Sequence, residues 1–490
     1  MGPQLVPYLG IVYVGAALRA AGHSVEIIDM CGEDVDRSEV VDGRYVQYGI
    51  PFSSLDRRLT QPDAIGFTCM FSQDWPFHRR LIQYVRKLCP QSLIMAGGEH
   101  ITSLPEYSLA DCPELDICVL GEGEETSARL LAAIAAKKDF SEVPGLAYRN
   151  PTDGKICRTP RAVRIKDIDQ LSTPAWDLVP LENYLVRGLN YHLQRGRTMP
   201  MLASRGCPYQ CTFCSNTKMW GAPWIARSPQ LVVDEMADYI HRYRAENFVF
   251  SDLTAVMTKE NIINLCQEII NRKINITWQL PTLRTEAVDR HILELMYQAG
   301  CRELDFAIES ASPDVLASVK KRNDPQKIAA LIQDGLSVGM NLSTNIVIGL
   351  PAEGWRDFFR TYALLMKMAV WGLQEVNVFP FVPYPGSQLF DEYQRAGKIT
   401  LSDAYFLGLF GYADLSQAIS WSPRFGPRTL SAMRLFMMAS FYVLMLLSHP
   451  RRLWQLIANA IQGRTTTKLE GVFKRIFMNL RVSRHKKASS

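Results

Sequence analysis

The segment Ser204-Arg205-Gly206-Cys207-Pro208-Tyr209-Gln210-Cys211-Thr212-Phe213-Cys214 sets three thiols at C-x3-C-x2-C spacing, behind a run, 201–204, that reads as a β-strand. A loop at a strand end can turn three nearby sulfurs toward one centre. Thiolates so gathered bind an iron–sulfur cluster or zinc. A structural zinc ion asks for a fourth protein ligand, and the nearest downstream Cys or His is His241. Zinc is the weaker reading. A 4Fe-4S cubane on three cysteines leaves one iron open to an outside ligand.

Working outward, strand and helix patterns alternate on both sides of this loop. Downstream, strands are expected at 201–204, 248–251, 276–279, 304–308, 343–348 and 375–379. Six such units fit a partial β/α barrel of the TIM type over 200–398. Upstream, over 1–140, the order is helix 11–20, strand 24–29, strand 64–69, helix 77–89, strand 92–96, strand 117–120 and a helix through 136. Alternation of this kind predicts an α/β, doubly wound parallel sheet, flavodoxin-like or Rossmann-like. Between them, 141–199 is rich in proline and turn residues and reads as a linker with a hairpin at Asp153-Gly154. The remainder, 399–490, is expected to be a helical extension.

Composition narrows the class. A chain of 490 residues, 47% hydrophobic, exceeds one ordinary domain. Eleven scattered cysteines lack the framework of a small secreted domain and suit a reducing cytoplasm. No basic-then-apolar leader opens the chain. The longest apolar run, 435–447, is shorter than the roughly 20 residues of a bilayer span; a buried or interfacial helix is expected there, and no transmembrane segment. From Arg451 onward ten Lys/Arg face only Glu470, and Val472, Phe473, Ile476, Phe477 and Leu480 recur at helical spacing among them. That pattern fits docking on an anionic membrane, at the inner face, or a helical cap with its charge toward solvent; the cap is favoured. A nucleic-acid partner is not expected.

The cysteine segment, with Phe213 before its last thiol, resembles the signature of the radical S-adenosylmethionine (SAM) superfamily. The resemblance implies SAM chelated at the open iron and reductively cleaved to a 5′-deoxyadenosyl radical, with the electron from a donor such as flavodoxin or ferredoxin. Further strand ends match the family's pattern. Asp252 follows the second barrel strand and Arg284 the third. Glu309-Ser310 resembles the family's "ES" segment at the fourth, Gly349-Leu350-Pro351 its "GLP" turn at the fifth, and Tyr384-Pro385-Gly386-Ser387 its "YPGT" turn apart from the last residue. The resemblance implies SAM contacts from Phe213, Asp252, Arg284, Glu309, Ser310 and Gly349; it names no catalytic residue.

The first region resembles the cobalamin-binding domain of one branch of that superfamily. Pro7-Tyr8-Leu9-Gly10 and Ala21-Gly22-His23-Ser24-Val25 match its opening. Thr68 with Ser72, then Gly97-Gly98-Glu99-His100, then Gly121-Glu122-Gly123, fall at later strand ends, where open α/β sheets bind ligands. The resemblance implies that these residues, with Leu9 and Gly10, cradle cobalamin. Two features depart from the pattern: the strand that normally precedes Pro7 is missing, and there is no D-x-H-x-x-G motif. His100 is expected to touch the cofactor's tail or a backbone carbonyl rather than cobalt. The bland alternative is a flavodoxin-like module that only supports the barrel. Phe441-Tyr442 and Pro450-Arg451-Arg452 loosely resemble the branch's C-terminal extension.

The activity this implies is methylation of an unactivated carbon of a small-molecule biosynthetic intermediate. The adenosyl radical takes a hydrogen from substrate, the substrate radical receives methyl from the corrinoid, and a second SAM restores that methyl. One alternative keeps both cofactors but performs an oxidative cyclisation or rearrangement, as in anaerobic tetrapyrrole cyclases. Another is a noncatalytic corrinoid- or zinc-binding scaffold. The apolar C-terminal helices lean toward a lipid, terpenoid or tetrapyrrole substrate, although a peptide or antibiotic intermediate fits equally.

Overall fold

The computed structural model describes residues 5–462, apart from 44, 151, 190–194, 222, 284, 416 and 418. Arg284 and the 472–480 pattern therefore lie outside the described residues. Two parallel sheets dominate. The first has strands β1 (Ala64–Thr68), β2 (Leu93–Gly97) and β3 (Ile117–Val119), parallel and adjacent, continued by an antiparallel hairpin of β4 (Leu146–Arg149) and β5 (Ile156–Arg158). Period-2 alternation decides its two faces. Ile94 and Ala96 of β2 enter one core with Trp75, Ile82 and Val85, while Met95 between them enters another with Ile117, Val119 and Leu130. Helix α1 (Leu9–Ala20) packs beside α2 (Gly123–Ala135).

Two expectations are corrected here. Residues 24–29 form no strand: Ile27 packs against Gly15 of α1, but the backbone has no ladder partner, because β1 is the edge of the sheet and nothing lies between. The hairpin at Asp153-Gly154 is not part of a free linker. It adds β4 and β5 to the first sheet, so that sheet runs through Arg158.

The second sheet is the expected partial barrel. Its six parallel strands follow chain order: β6 (Thr198–Met201), β7 (Asn247–Phe250), β8 (Thr277–Leu283), β9 (Cys301–Glu309), β10 (Asn341–Ile348) and β11 (Glu375–Pro380). The first of these lies three residues earlier than 201–204; Ser204-Arg205 instead pairs with Ile225-Ala226. Leu304, Phe306 and Ile308 of β9 point outward into the largest core. Glu303, Asp305 and Glu309 alternate with them, and by the same period face the lumen. Helix α3 (Trp355–Trp371) covers the β10–β11 side, and α4 (Pro427–Ser448) and α5 (Pro450–Gln462) follow as the helical extension.

The two sheets share one core. Cys69, Ile101 and Leu104 of the first unit cluster with Leu350, Phe381 and Phe390 of the second. A buried ion network adds to this. Arg205 donates to Glu122 (3.2 Å) and Glu124 (2.6 Å), with its guanidinium over the rings of Tyr13 and Trp220; Arg164 donates to the other oxygen of Glu122 (3.0 Å). Removing one partner of a buried pair strands the remaining charge. Arg205→Met is expected to destabilise the protein by about 3–5 kcal/mol, read as a lower urea midpoint, and Arg205→Met/Glu124→Gln to recover part of that loss.

Candidate active site at the junction of the sheets

Parallel strands all end on one side, so each sheet offers its loops at its carboxyl edge, and here the two edges meet. The cysteine loop crosses the barrel mouth. Gly206 turns it with φ +87°, where a Cβ would come within 2.6 Å of the Pro223 carbonyl. The Thr212 N–H donates to Val319 beyond the fourth barrel strand (3.0 Å), and the Thr212 carbonyl accepts from Leu389 beyond the sixth (2.9 Å). Asn216 Nδ2 holds the Cys207 carbonyl (3.2 Å), and Cys214 N–H the Cys211 carbonyl (3.1 Å). Burial, reinforced by Glu99 and the two sister thiols, pushes the Cys214 thiol up to about 12. Binding metal there must expel a proton.

The donor set fits a cubane better than a lone ion. Among the described residues no three Cys, His, Asp or Glu side chains are gathered closely enough for a single metal ion, whereas a cubane offers a separate iron to each of Cys207, Cys211 and Cys214.

The SAM candidates divide. Glu309 ends β9 in the left-handed region (φ +62°), and its Oε1 accepts from Lys321 Nζ at 2.9 Å, both side chains buried. Lys321 also stands 5.9 Å from the centre of the Phe213 ring. Phe213, Glu309 and Lys321 thus come together beside the cysteines. Ser310 turns inward, with Thr361 Oγ1 at 3.2 Å and the Ser312 N–H at 3.1 Å. Asp252 accepts from the Ala203 N–H (3.1 Å) and the Ser204 hydroxyl, and burial raises its carboxyl to about 6. It positions the entry to the cysteine loop. Gly349 (φ +80°) has room for no side chain beside Leu430 of α4, and its N–H donates to buried Glu353.

The corrinoid candidates divide similarly. Thr68, Gly97, Gly98 and Gly121 line the carboxyl ends of β1, β2 and β3, and Leu9 and Gly10 open α1 beside Gly123's helix. Gly98 (φ +108°) turns so tightly that a Cβ would lie 2.6 Å from the Cys69 carbonyl. That glycine serves the sheet's own packing, while Gly97 and Gly121 keep the neighbouring strand ends free of side chains, which suits the approach of a flat macrocycle. His100, by contrast, is fully buried, stacked on Trp75, with Ser72 Oγ at 3.0 Å from Nδ1 and Ser108 Oγ at 3.3 Å from Nε2. Burial lowers its ring to about 3. Ser72 and His100 are thus spent on each other, and Glu122 on its arginines. The expected backbone-carbonyl contact of His100 is replaced by these two hydroxyls.

Glu99 lies at the bridge. The helical turn Glu99–Ser103 packs against Asn216–Met219, just after the cysteines, and burial raises the Glu99 carboxyl, with Ser215 easing the shift. Alongside, Tyr384 Oη accepts from the Ser72 N–H (2.7 Å) and donates to Gln73 (3.1 Å), and Gly386 is wedged between Ser103 and Ser215. Sequence reasoning did not single out Lys321 or Arg205. A Lys twelve residues past the Glu-Ser pair, and an Arg two before the first cysteine, were the only signals.

A barrel with a three-cysteine loop at its mouth, joined edge to edge with an α/β sheet ending in glycine loops, defines the class of two-cofactor radical enzymes. Residues 3–131 match the B12 binding domain family and residues 201–365 the radical SAM superfamily. The chain is 26% identical over 399 residues to an uncharacterised methyltransferase of Pyrococcus horikoshii, covering 81% of this chain and 80% of that one. It is 27% identical over 391 residues to the anaerobic magnesium-protoporphyrin IX monomethyl ester cyclase of Rubrivivax gelatinosus, covering 79% and 66%. Among solved structures it superimposes on the radical SAM methyltransferase TsrM of Kitasatospora setae, holding cobalamin and a 4Fe-4S cluster, with TM-score 0.65 at 17% identity over 91% of this chain and 87% of that one. The chain thus combines a B12 binding domain with a radical SAM domain, the two units whose solved relatives hold cobalamin with a 4Fe-4S cluster or with SAM.

Burial, countered by N–H donors from Gly349 and Leu350, raises the Glu353 carboxyl from 4.5 to about 7. A raised acid binds its proton in the folded chain and releases it in the unfolded one between those values, so stability falls as pH climbs from about 4.5 to about 7. Glu353→Gln is expected to flatten that slope and to stabilise the protein above pH 7 by up to about 3 kcal/mol, measured as unfolding midpoints across pH. An unchanged slope would exclude Glu353 as its source.

Proposed function

We propose that this enzyme methylates an unactivated carbon of a small molecule bound between the barrel mouth and the corrinoid edge. The packing of Glu99–Ser103 against Asn216–Met219 carries this reading, because a substrate radical must meet a methyl donor before anything else, and proximity is the main lever. When bound, the cluster with SAM supplies the adenosyl radical and the corrinoid the methyl group. Cys207, Cys211 and Cys214 would hold the cluster. Glu309 and Lys321, beside Phe213, would orient the amino acid end of SAM, one supplying negative and the other positive charge. The glycine loops at Gly97-Gly98 and Gly121 would seat the corrinoid. Tyr384 and Gly386 keep the two loops together and exclude water.

The lumen bears on the substrate. Asn377 Nδ2 donates to Asn345 Oδ1 (2.9 Å) on neighbouring strands, leaving an amide donor and acceptor partly exposed, above a buried layer of Asp305, Ser343 and Glu375. This lining favours a substrate with a polar neutral group, even if its reacting carbon is apolar. None of the eleven cysteines is joined in a disulfide, which suits a reducing cytoplasm and a flavodoxin or ferredoxin donor. The likeness to the cyclase keeps oxidative cyclisation as the second reading.

Anaerobic turnover with methyl-labelled SAM, methylcobalamin and a cell extract as substrate source is expected to give 5′-deoxyadenosine and a labelled product heavier by one methylene. Deoxyadenosine with an unlabelled, oxidised product would support the cyclase reading instead. Alanine at any one of the three cysteines is expected to abolish the brown colour of reconstituted protein and deoxyadenosine formation together. Lys321→Met leaves Glu309 a buried unpaired carboxylate and is expected to raise the SAM concentration needed for half-maximal deoxyadenosine release about tenfold, with iron content unchanged.

A further inference from the structure

Helix α4 is apolar on both faces, with Leu430, Met433, Met437, Phe441 and Met445 buried in the core. Its only charged residue after the first turn, Arg434, is 4% exposed and donates to the Gly411 (3.4 Å) and Ala413 (3.3 Å) carbonyls. Its outward stripe, at spacings of seven and four residues, is Phe436, Val443 and Leu447, exposed by 52%, 58% and 74%. A solvated helix places polar side chains on such a face. The stripe continues onto neighbours: Tyr362 of α3 stacks on Phe436 (5.1 Å), Trp355 and Phe359 lie exposed further along α3, and Trp454 on α5 is 72% exposed. Nine of the nineteen exposed large apolar side chains among the described residues sit on these three helices, far more than scattered surface residues account for.

The length and apolarity of α4 would let it cross a bilayer, but a third of its most apolar window is buried, against α3 and β11. Crossing would strip the barrel of that cover, so the helix can only lie along a surface. Charge identifies the surface. Besides the buried Arg434, helices α4 and α5 contain Arg428, Arg451 and Arg452 and no acid, and beyond Gln462 the sequence adds eight Lys/Arg against Glu470. Two copies facing each other across this stripe would set these arginines against their own kind. Anionic lipid headgroups would neutralise them, with Trp454 at the depth that tryptophan prefers.

We infer that the α3–α4–α5 face docks flat on an anionic lipid bilayer, its stripe centred on Phe436, Val443 and Leu447 entering the headgroup boundary and its arginines resting on the lipid phosphates. This inference is independent of the reaction.

Full-length reconstituted protein is to be sedimented with phosphatidylcholine vesicles, with and without phosphatidylglycerol. Binding is expected only with phosphatidylglycerol, weakening as salt is raised. Val443→Gln/Leu447→Gln, both exposed positions, is expected to lower the partition coefficient about tenfold or more, with thermal midpoint, iron content and deoxyadenosine formation retained. Binding to neither vesicle, or equal binding by the variant, overturns the inference. So does a wild-type dimer in sedimentation velocity that the same variant dissociates, since a second copy would then cover the face.

Discussion

The position of Arg205 constrains everything else in the molecule. It lies two residues before the first cysteine, yet its guanidinium is buried among carboxylates of the other sheet, Glu122 and Glu124, and between the rings of Tyr13 and Trp220. A charge buried in this way is tolerated only with its partners in place. The cysteine loop therefore cannot reach its observed course unless the first sheet is docked. Assembly of the cluster site and of the domain junction are one event.

From that constraint the rest follows in layers. Parallel sheets present loops at their carboxyl edges, and the network sets those edges face to face. Short contacts close the seam: Tyr384 to Ser72, and Gly386 into the gap between Ser103 and Ser215. Gly386 turns where any Cβ would strike the opposing sheet's Ser103, and Gly98 where one would strike Cys69 of its own sheet. Chemistry that joins two cofactors needs a short, dry path between them, and a seam made of small side chains and backbone provides one.

Much of this was legible in the sequence. The cysteine spacing pointed to the loop that crosses the barrel mouth, and all six barrel strands were visible as apolar runs before turn residues. Register errors came from β6, where Ala203 and Ser204 continue the extended pattern but bond to Asp252 and a two-residue ladder instead. The strand expected at 24–29 has the right apolar alternation, and its failure is tertiary, since a ladder needs a neighbour. Within the site, residue type could not reveal direction. Ser310, His100 and Glu122 sit at the expected strand ends, but each is satisfied by a partner far away in sequence. Lys321 was invisible for the same reason, because its pairing with Glu309 depends on how the chain after β9 folds back.

The division between spent and available side chains says how the corrinoid edge works. His100, Ser72 and Glu122, the residues with the most obvious chemistry, are internal struts, and His100 is held neutral by burial, reinforced by His78, with a serine hydroxyl at each ring nitrogen. What remains at the carboxyl ends of β1, β2 and β3 is Thr68, the glycines and exposed peptide groups. A cradle of that composition binds by shape and backbone hydrogen bonds rather than by a protein ligand to the metal. Control over the reacting face would then pass to the barrel, whose mouth supplies the Glu309–Lys321 pair and the Asn345–Asn377 amides. On the proposed reading one sheet would hold its cofactor passively while the other chooses what it meets.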